Sequence, residues 1–232
     1  MGSGRLPGKV LMDLGGESVL ARVVQRVRRA VLVQEVIVAT SVSEKDDAVV
    51  AECRRMQVPC FRGPEHDVLD RYYKCAQSHA AGSVVRITAD CPLIDPDLVD
   101  ATIRTFLDEP CDYASNALVP TYPKGLDVEI FTMTALARAW RAASQSYERE
   151  HVTPYLYEHP ELFRLVSVTA DADHSQYRWT LDTAEDLGLL RKIYASLGNR
   201  DDFGWREVLQ LMRREPELAE INAHVPQKAV HA

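Results

Sequence analysis

The sequence has no CxxC pair, and its five cysteines (Cys53, Cys60, Cys75, Cys91 and Cys111) are odd in number. A zinc site and a disulfide framework therefore both fit poorly, and the thiols read as small buried residues in a reducing compartment. Basic residues are not in excess: 27 Lys and Arg face 34 Asp and Glu, for a net charge of −7. That balance argues against general nucleic-acid binding, yet it permits a small anionic ligand on a local basic cluster. No apolar run approaches the ~20 residues needed to span a bilayer. No early stretch has the basic, apolar and small-residue order of a secretory signal, so the chain reads as cytoplasmic. No repeat or low-complexity block is visible. What remains is 232 residues, 46% hydrophobic and 26% charged. That suits one sizeable α/β domain, or a domain with a small appendage.

Strand and helix patterns alternate through the first half. Residues 17–30 carry apolar residues at helical spacing (Val19, Leu20, Val23, Val24, Val27) with arginines on the other face. Strands are predicted at 35–40, 58–61 and 84–88, and helices at 44–56, 67–81 and 95–108. Asp95 is the expected cap of the last helix, with Pro96 in its first position. This order implies βαβ units and a mainly parallel sheet with helices on both faces. After about residue 110 the rhythm changes. Strands are expected at 111–116, 126–132, 163–170 and 177–181, with a Pro- and Gly-rich loop at 118–125. Helices are expected at 133–143, 146–159, 183–197 and 205–222, the last broken at Pro216, followed by a loose tail.

Three clusters could carry chemistry. The opening GSGRLPGK places Gly2, Ser3, Gly4 and Gly8 beside Arg5 and Lys9. Glycines let backbone N–H groups approach an anion, and the two cations add charge. The string is neither a Walker loop nor a dinucleotide fingerprint, and it reads equally as a flexible end. In RITADCPLIDP (86–96), a strand delivers Asp90 to its carboxyl end, where ligands bind in open parallel sheets. A carboxylate there suits Mg²⁺, which takes oxygen ligands and shares them with substrate phosphates. In RWTLDTAEDL (178–187), Asp182 ends a short strand and Thr183 is an expected N-cap, so Asp182 either serves the site or only starts the helix. A nucleophilic role for Cys91 would need a histidine partner that the sequence does not reveal. Together, a phosphate loop and two strand-end aspartates supply the parts of metal-assisted transfer at phosphorus.

Seven segments occur in one order: MGSGRLPGKVL, EVIVATS, FRGPEHDVLDRYY, VVRITADCPLIDP, PKGLDVEIF, EREHVTPYLY and RWTLDTAEDL. In this the chain resembles the spore coat polysaccharide biosynthesis protein F group of cytidylyltransferase-like proteins. That group is related to the acylneuraminate and 3-deoxy-manno-octulosonate cytidylyltransferases. The resemblance covers roughly residues 1–190. It implies a three-layer α/β/α fold with a mostly parallel sheet, of the nucleotide-diphospho-sugar transferase (GT-A-like) type. The implied reaction is transfer of CMP from CTP to a sugar acid, with release of pyrophosphate. It places the triphosphate loop on Gly2, Ser3, Gly4, Arg5 and Lys9, base recognition on Ala39, Thr40 and Ser41, and Mg²⁺ on Asp90 and Asp182. Lys9, Arg5 and Asp90 are the implied catalytic residues. Glu129, Glu150 and His151 fall where relatives face the sugar or a partner subunit, although a solvated strand residue and a helix-surface pair describe them equally. Residues 1–116 form the implied nucleotide half, 117–200 the sugar and oligomer half, and 201–232 a helical extension and tail. A homodimer through roughly 118–160 is implied. Family members also begin with a buried strand ending in Ala-Arg just before the residue matching Met1, which implies that the natural chain starts upstream.

Two rival readings remain. A glycosyltransferase on the same fold would carry a DxD metal motif, and the DxD strings here, Asp95-Pro96-Asp97 and Asp171-Ala172-Asp173, open a helix and lie in an irregular stretch. A non-catalytic nucleotide-binding subunit is the other.

Overall fold

The protein is described by a computed structural model covering residues 4–226. The expected alternation holds through the first half. A short hairpin of β1 (Asp13–Leu14) and β2 (Glu17–Ser18) leads into helix α1 (Val19–Val27), and α1 leads into β3 (Val38–Ser41). Then follow α2 (Asp47–Arg55), β4 (Cys60–Gly63), α3 (Val68–Ser78), β5 (Ser83–Arg86) and α4 (Pro96–Asp108). Asp95 caps α4 as expected, accepting the Leu98 N–H at 3.0 Å, with Pro96 in the first turn. The second half contains β6 (Tyr113–Ser115), β7 (Glu129–Thr132), α5 (Met133–Ala142), α6 (Ser146–His151) and α7 (Pro154–Tyr157). It ends with β8 (Leu165–Ser167), α8 (Ala184–Ser196), α9 (Trp205–Arg214) and α10 (Glu217–Glu220).

β3 and β4 pair in parallel. β5, β7, β6 and β8 form a four-stranded sheet in that order, in which β6 and β8 are parallel and β7 runs antiparallel to both β5 and β6. The sheet is therefore mixed where β7 enters. Its register sets Arg86 directly opposite Glu129.

Four local expectations differ from the structure. Residues 177–181 form no strand, since only an isolated bridge joins Arg178 to Lys124. The helix expected at 146–159 is two short helices, because Val152 takes φ 75° and Pro154 starts a new turn. The hairpin at 13–18 turns on Gly15 and Gly16, both at positive φ, in a stretch too short to show alternation. The arginines of α1 are not on an exposed face. Arg26 is fully buried and donates to the carbonyls of Ile94, Asp201 and Phe203, while Arg22 donates to those of Leu14 and Gly15 and pairs with Asp201. A guanidinium carries five donors, so it can be buried at low cost only where carbonyls converge on it. The helices α9 and α10 share the main core, with Trp205, Val208, Leu211 and Leu218 packed in the same cluster as Leu14 and Val19.

Candidate active site

The opening loop is closed by a turn. Gly8, at φ 72°, begins a single 3₁₀ turn over Lys9–Leu11, and the Lys9 N–H reaches the Leu6 carbonyl. Positive φ suits glycine here, and the turn swings the Lys9 side chain inward. Its ammonium donates to Asp90 Oδ2 at 2.7 Å, to the Leu181 carbonyl at 2.7 Å and to Asp182 Oδ1 at 2.8 Å. Arg5 reaches the other oxygen of Asp182 at 3.0 Å. Four predicted site residues, from three separate parts of the chain, thus meet at one point.

The two aspartates are held by backbone contacts between their segments. The strand β5 ends at Arg86, and residues 87–89 carry the chain on to Asp90. The Leu181 N–H then donates to the Asp90 carbonyl at 2.8 Å, which fixes Asp182 beside Asp90. Thr183 caps α8, as expected, in a reciprocal capping box with Asp186, and Asp182 both precedes that helix and meets Lys9 beside Asp90. Burial alone would raise the Asp182 carboxyl, but hydrogen bonds from Lys9 and Arg178 and the charges around it hold it down at about 2. Burial opposes the Lys9 ammonium as well, and the charge of Asp90 leads the effects that raise it above its usual value.

This donor set suits a hard divalent cation. Two carboxylate oxygens and a carbonyl lie within 2.8 Å of one nitrogen, so they converge on a single position. Among the described residues no group of three or more His, Cys, Asp or Glu could hold a metal. The Lys9 ammonium fills that position here, and two carboxylates sharing a cation with phosphate oxygens and water is the arrangement Mg²⁺ favours, in contrast to a closed protein cage.

The other predicted residues fall as follows. Gly2 and Ser3 lie outside the described residues, and Gly4 is exposed. Ala39 sits in the β3–β4 ladder opposite Phe61. The hydroxyls of Thr40 and Ser41 both donate to Asp46, as does the Ser41 N–H, and the Ser41 carbonyl accepts from Arg62. Ser41 and Glu150 line one cavity of about 780 Å³, together with Glu65, His66, Arg71 and Arg149. His151 ends α6 and is half-buried. Glu129 is neither solvated nor offered to a ligand. It is 6% exposed, pairs with Arg86 across the ladder, and accepts from Tyr113 at 2.7 Å and Thr153 at 2.6 Å. The charge it carries is spent inside the sheet. Cys91 has no histidine among its hydrogen-bond partners, which are Thr88, Asp90 and Thr180. Burial, then Asp90, push its thiol well above the usual range, which disfavours the thiolate that a nucleophile needs. Asp95 of the first DxD string is used up as a cap, accepting also from the Trp205 N–H.

Sequence reasoning missed three cations. Arg178 donates to Asp182 at 2.7 Å and to Asp186 at 2.9 Å and 3.1 Å. The spacing Arg178, Asp182, Asp186 was the available signal. Arg71 lines the large cavity with a buried Nε that has no partner among the described residues. Lys124 lies beside Arg178 across the isolated bridge.

A family profile described as cytidylyltransferase matches residues 1–211. The chain belongs to the cytidylyltransferase family. It is 35% identical over 226 residues to the spore coat polysaccharide biosynthesis protein SpsF of Bacillus subtilis, covering 94% of this chain and 93% of that protein. It is 31% identical over 170 residues to a 3-deoxy-manno-octulosonate cytidylyltransferase of Polynucleobacter asymbioticus, covering 71% of this chain and 64% of that one. A solved cytidylyltransferase from Leptospira borgpetersenii matches at 29% identity with a TM-score of 0.91, covering 99% of this chain and 94% of that one. A CMP:2-keto-3-deoxy-manno-octonic acid synthetase matches at 18% identity with a TM-score of 0.62, which speaks to the fold alone. The fold is thus the three-layer α/β/α nucleotidyltransferase fold expected, and this cytidylyltransferase is an enzyme of the nucleotidyl-transferring type.

Proposed function

We propose that this enzyme transfers CMP from CTP to a sugar acid, releasing pyrophosphate, with Mg²⁺ held between Asp90 and Asp182, in the biosynthesis of a surface polysaccharide or glycan. The observation that carries the reading is the convergence of Asp90, Asp182 and the Leu181 carbonyl on the Lys9 ammonium, with Arg5 alongside. Carboxylates for a cation and cations for a triphosphate then share one small space. The similarity to proteins named for spore coat polysaccharide biosynthesis and for 3-deoxy-manno-octulosonate cytidylyl transfer supports the pathway and the class of acceptor.

On this reading an acceptor hydroxyl attacks the α-phosphorus of CTP in line, the new O–P bond forms, and the bond to the β-phosphate oxygen breaks. The bound cation would supply charge neutralisation at the α-phosphate. Lys9 and Arg5 stabilise charge growing on the leaving pyrophosphate, and Arg178 keeps Asp182 ionised and aimed. The end of β3, at Ala39–Ser41, is where the base would sit. Little covalent work falls to the protein, since positioning and charge stabilisation dominate such transfers.

The test is pyrophosphate release from CTP and Mg²⁺ with a panel of nonulosonic and other sugar acids. Release that depends on both acceptor and metal, with a CMP-sugar as co-product, is expected. CTP binding without release in the presence of any acid would overturn the reading, and nucleoside phosphate release from a nucleotide sugar would replace it with glycosyl transfer.

A further inference from the structure

The cations around the site differ in how they are neutralised. Arg5 and Lys9 pair with Asp182, Lys9 also with Asp90, Arg178 with Asp182 and Asp186, Arg86 with Glu129, and Arg149 with Asp67. Lys124 is different. Its ammonium makes no ion pair or hydrogen bond with any described residue, although the side chain is half-buried. Burial leads the effects on it and lowers its pKa, and the charges of Asp127 and Asp182 partly offset that without contacting it.

The position of Lys124 is imposed by the backbone. Its N–H donates to the Tyr177 carbonyl at 2.9 Å and its carbonyl accepts from Trp179 at 2.7 Å. Gly125 follows at φ 101°, pressed so closely on residues 179–180 that a Cβ there would lie 2.6 Å from the Thr180 nitrogen. The turn therefore sits against the segment that ends in Asp182. Lys124 and Arg178 line a cleft of about 160 Å³ with Gln176 and Asn222. Arg178 links this cleft to Asp182. That volume is too small for a nucleotide, and it suits one end of a sugar. A half-buried, unpaired cation is costly in the free protein, and a bound anion would relieve that cost.

Resting on the cytidylyl-transfer reading above, we propose that Lys124 is the acceptor's anchor: its ammonium takes the carboxylate of the sugar acid and holds the acceptor beside Asp90 and Asp182. Arg86, the other buried cation in this part of the sheet, is already neutralised by Glu129 and cannot play that part. Asp127, two residues beyond Gly125, has the Gly125 N–H at 3.4 Å as its one hydrogen-bond partner among the described residues, and its charge acts on Lys124, so it is offered as an acceptor for sugar hydroxyls.

The experiment uses the full chain, CTP and Mg²⁺, with 3-deoxy-manno-octulosonate and N-acetylneuraminate as acids and their carboxyl-reduced forms as neutral counterparts. Lys124→Met and Lys124→Arg are compared with the unsubstituted protein. For any acid used, Lys124→Met should raise the acceptor KM about 10- to 100-fold, as loss of one charged hydrogen bond implies. CTP affinity should stay the same, the preference for acid over reduced sugar should vanish, and Lys124→Arg should retain most of it. An unchanged acceptor KM, equal use of reduced sugars by the unsubstituted protein, or a parallel loss of CTP affinity overturns this assignment and leaves cytidylyl transfer standing. Failure of the unsubstituted protein to use any acid, with CTP bound, overturns the transfer reading and the anchor with it.

Discussion

Replacing Asp182 with asparagine separates the electrostatics of the site from its shape. Three cations meet this carboxylate: Lys9 at 2.8 Å, Arg5 at 3.0 Å and Arg178 at 2.7 Å. The amide keeps the size of the side chain and removes its charge. Lys9 would retain Asp90, Arg178 would retain Asp186, and Arg5 would lose its ion pair with Asp182. The carboxyl lies at about 2 against an ordinary 3.8, with the side chain 20% exposed. At ~1.4 kcal/mol per unit, that depression corresponds to about 2 kcal/mol of stability. The pH dependence has a definite sign. A carboxyl with a folded pKa below its unfolded value contributes fully above the unfolded value, and the contribution fades as pH falls towards the folded one. Asp182→Asn should therefore lower Tm by about 4–8 °C at pH 7. The gap should be about half as large in free energy at pH 3. Thermal and guanidinium unfolding at pH 7, 5 and 3, without metal or nucleotide, would measure it. Equal stability at pH 7, or a gap that stays constant down to pH 3, would refute the electrostatic account. Pyrophosphate release by the same variant should fall at least ~100-fold at pH 7.

Glu129→Gln removes the counter-charge of Arg86 inside the sheet, and a cost of about 3–5 kcal/mol is expected in denaturant unfolding. CTP affinity of the folded fraction should not change, and a specific loss of acceptor binding at normal stability would return Glu129 to the site. Gly125→Ala combines positive φ with a clash against the Thr180 backbone, and should cost about 2–4 kcal/mol. Unchanged unfolding there would show that the turn is free to move.

Much of this was legible because the signals were local. Asp95 with Pro96, and Thr183 with Asp186, are cap patterns whose partners lie within one helical turn, and the structure contains both. Asp90 and Asp182 were recognisable as residues following apolar runs that end abruptly. What was not legible depends on partners far away in sequence. Residues 177–181 have the composition of a strand, yet the ladder that would make them one consists of a single bridge to Lys124. Glu129 looks like the polar side of an alternating strand until the register sets it against Arg86 and under Tyr113. The arginines of α1 sit among valines at spacings that resemble a solvated stripe, and it is the carbonyls of residues 94, 201 and 203 around Arg26, and those of residues 14 and 15 with Asp201 around Arg22, that turn the stripe inward. Lys124 lies within PKGLDVEIF, but its lack of a partner among the described residues is a property of the space around it.

Arg26 has a consequence for how the protein is made. Its guanidinium stacks on Phe203, 4.1 Å from the ring centre, and two of its three carbonyl acceptors come from residues 201 and 203. During synthesis α1 emerges long before those acceptors exist, so its inner face holds an unquenched charge until nearly the whole chain has been translated. The first helix can settle only once residues 201–203 have been made. A chain stopped before residue 201 should therefore stay open and sensitive to protease, and one carried past Phe203 should close in one cooperative step.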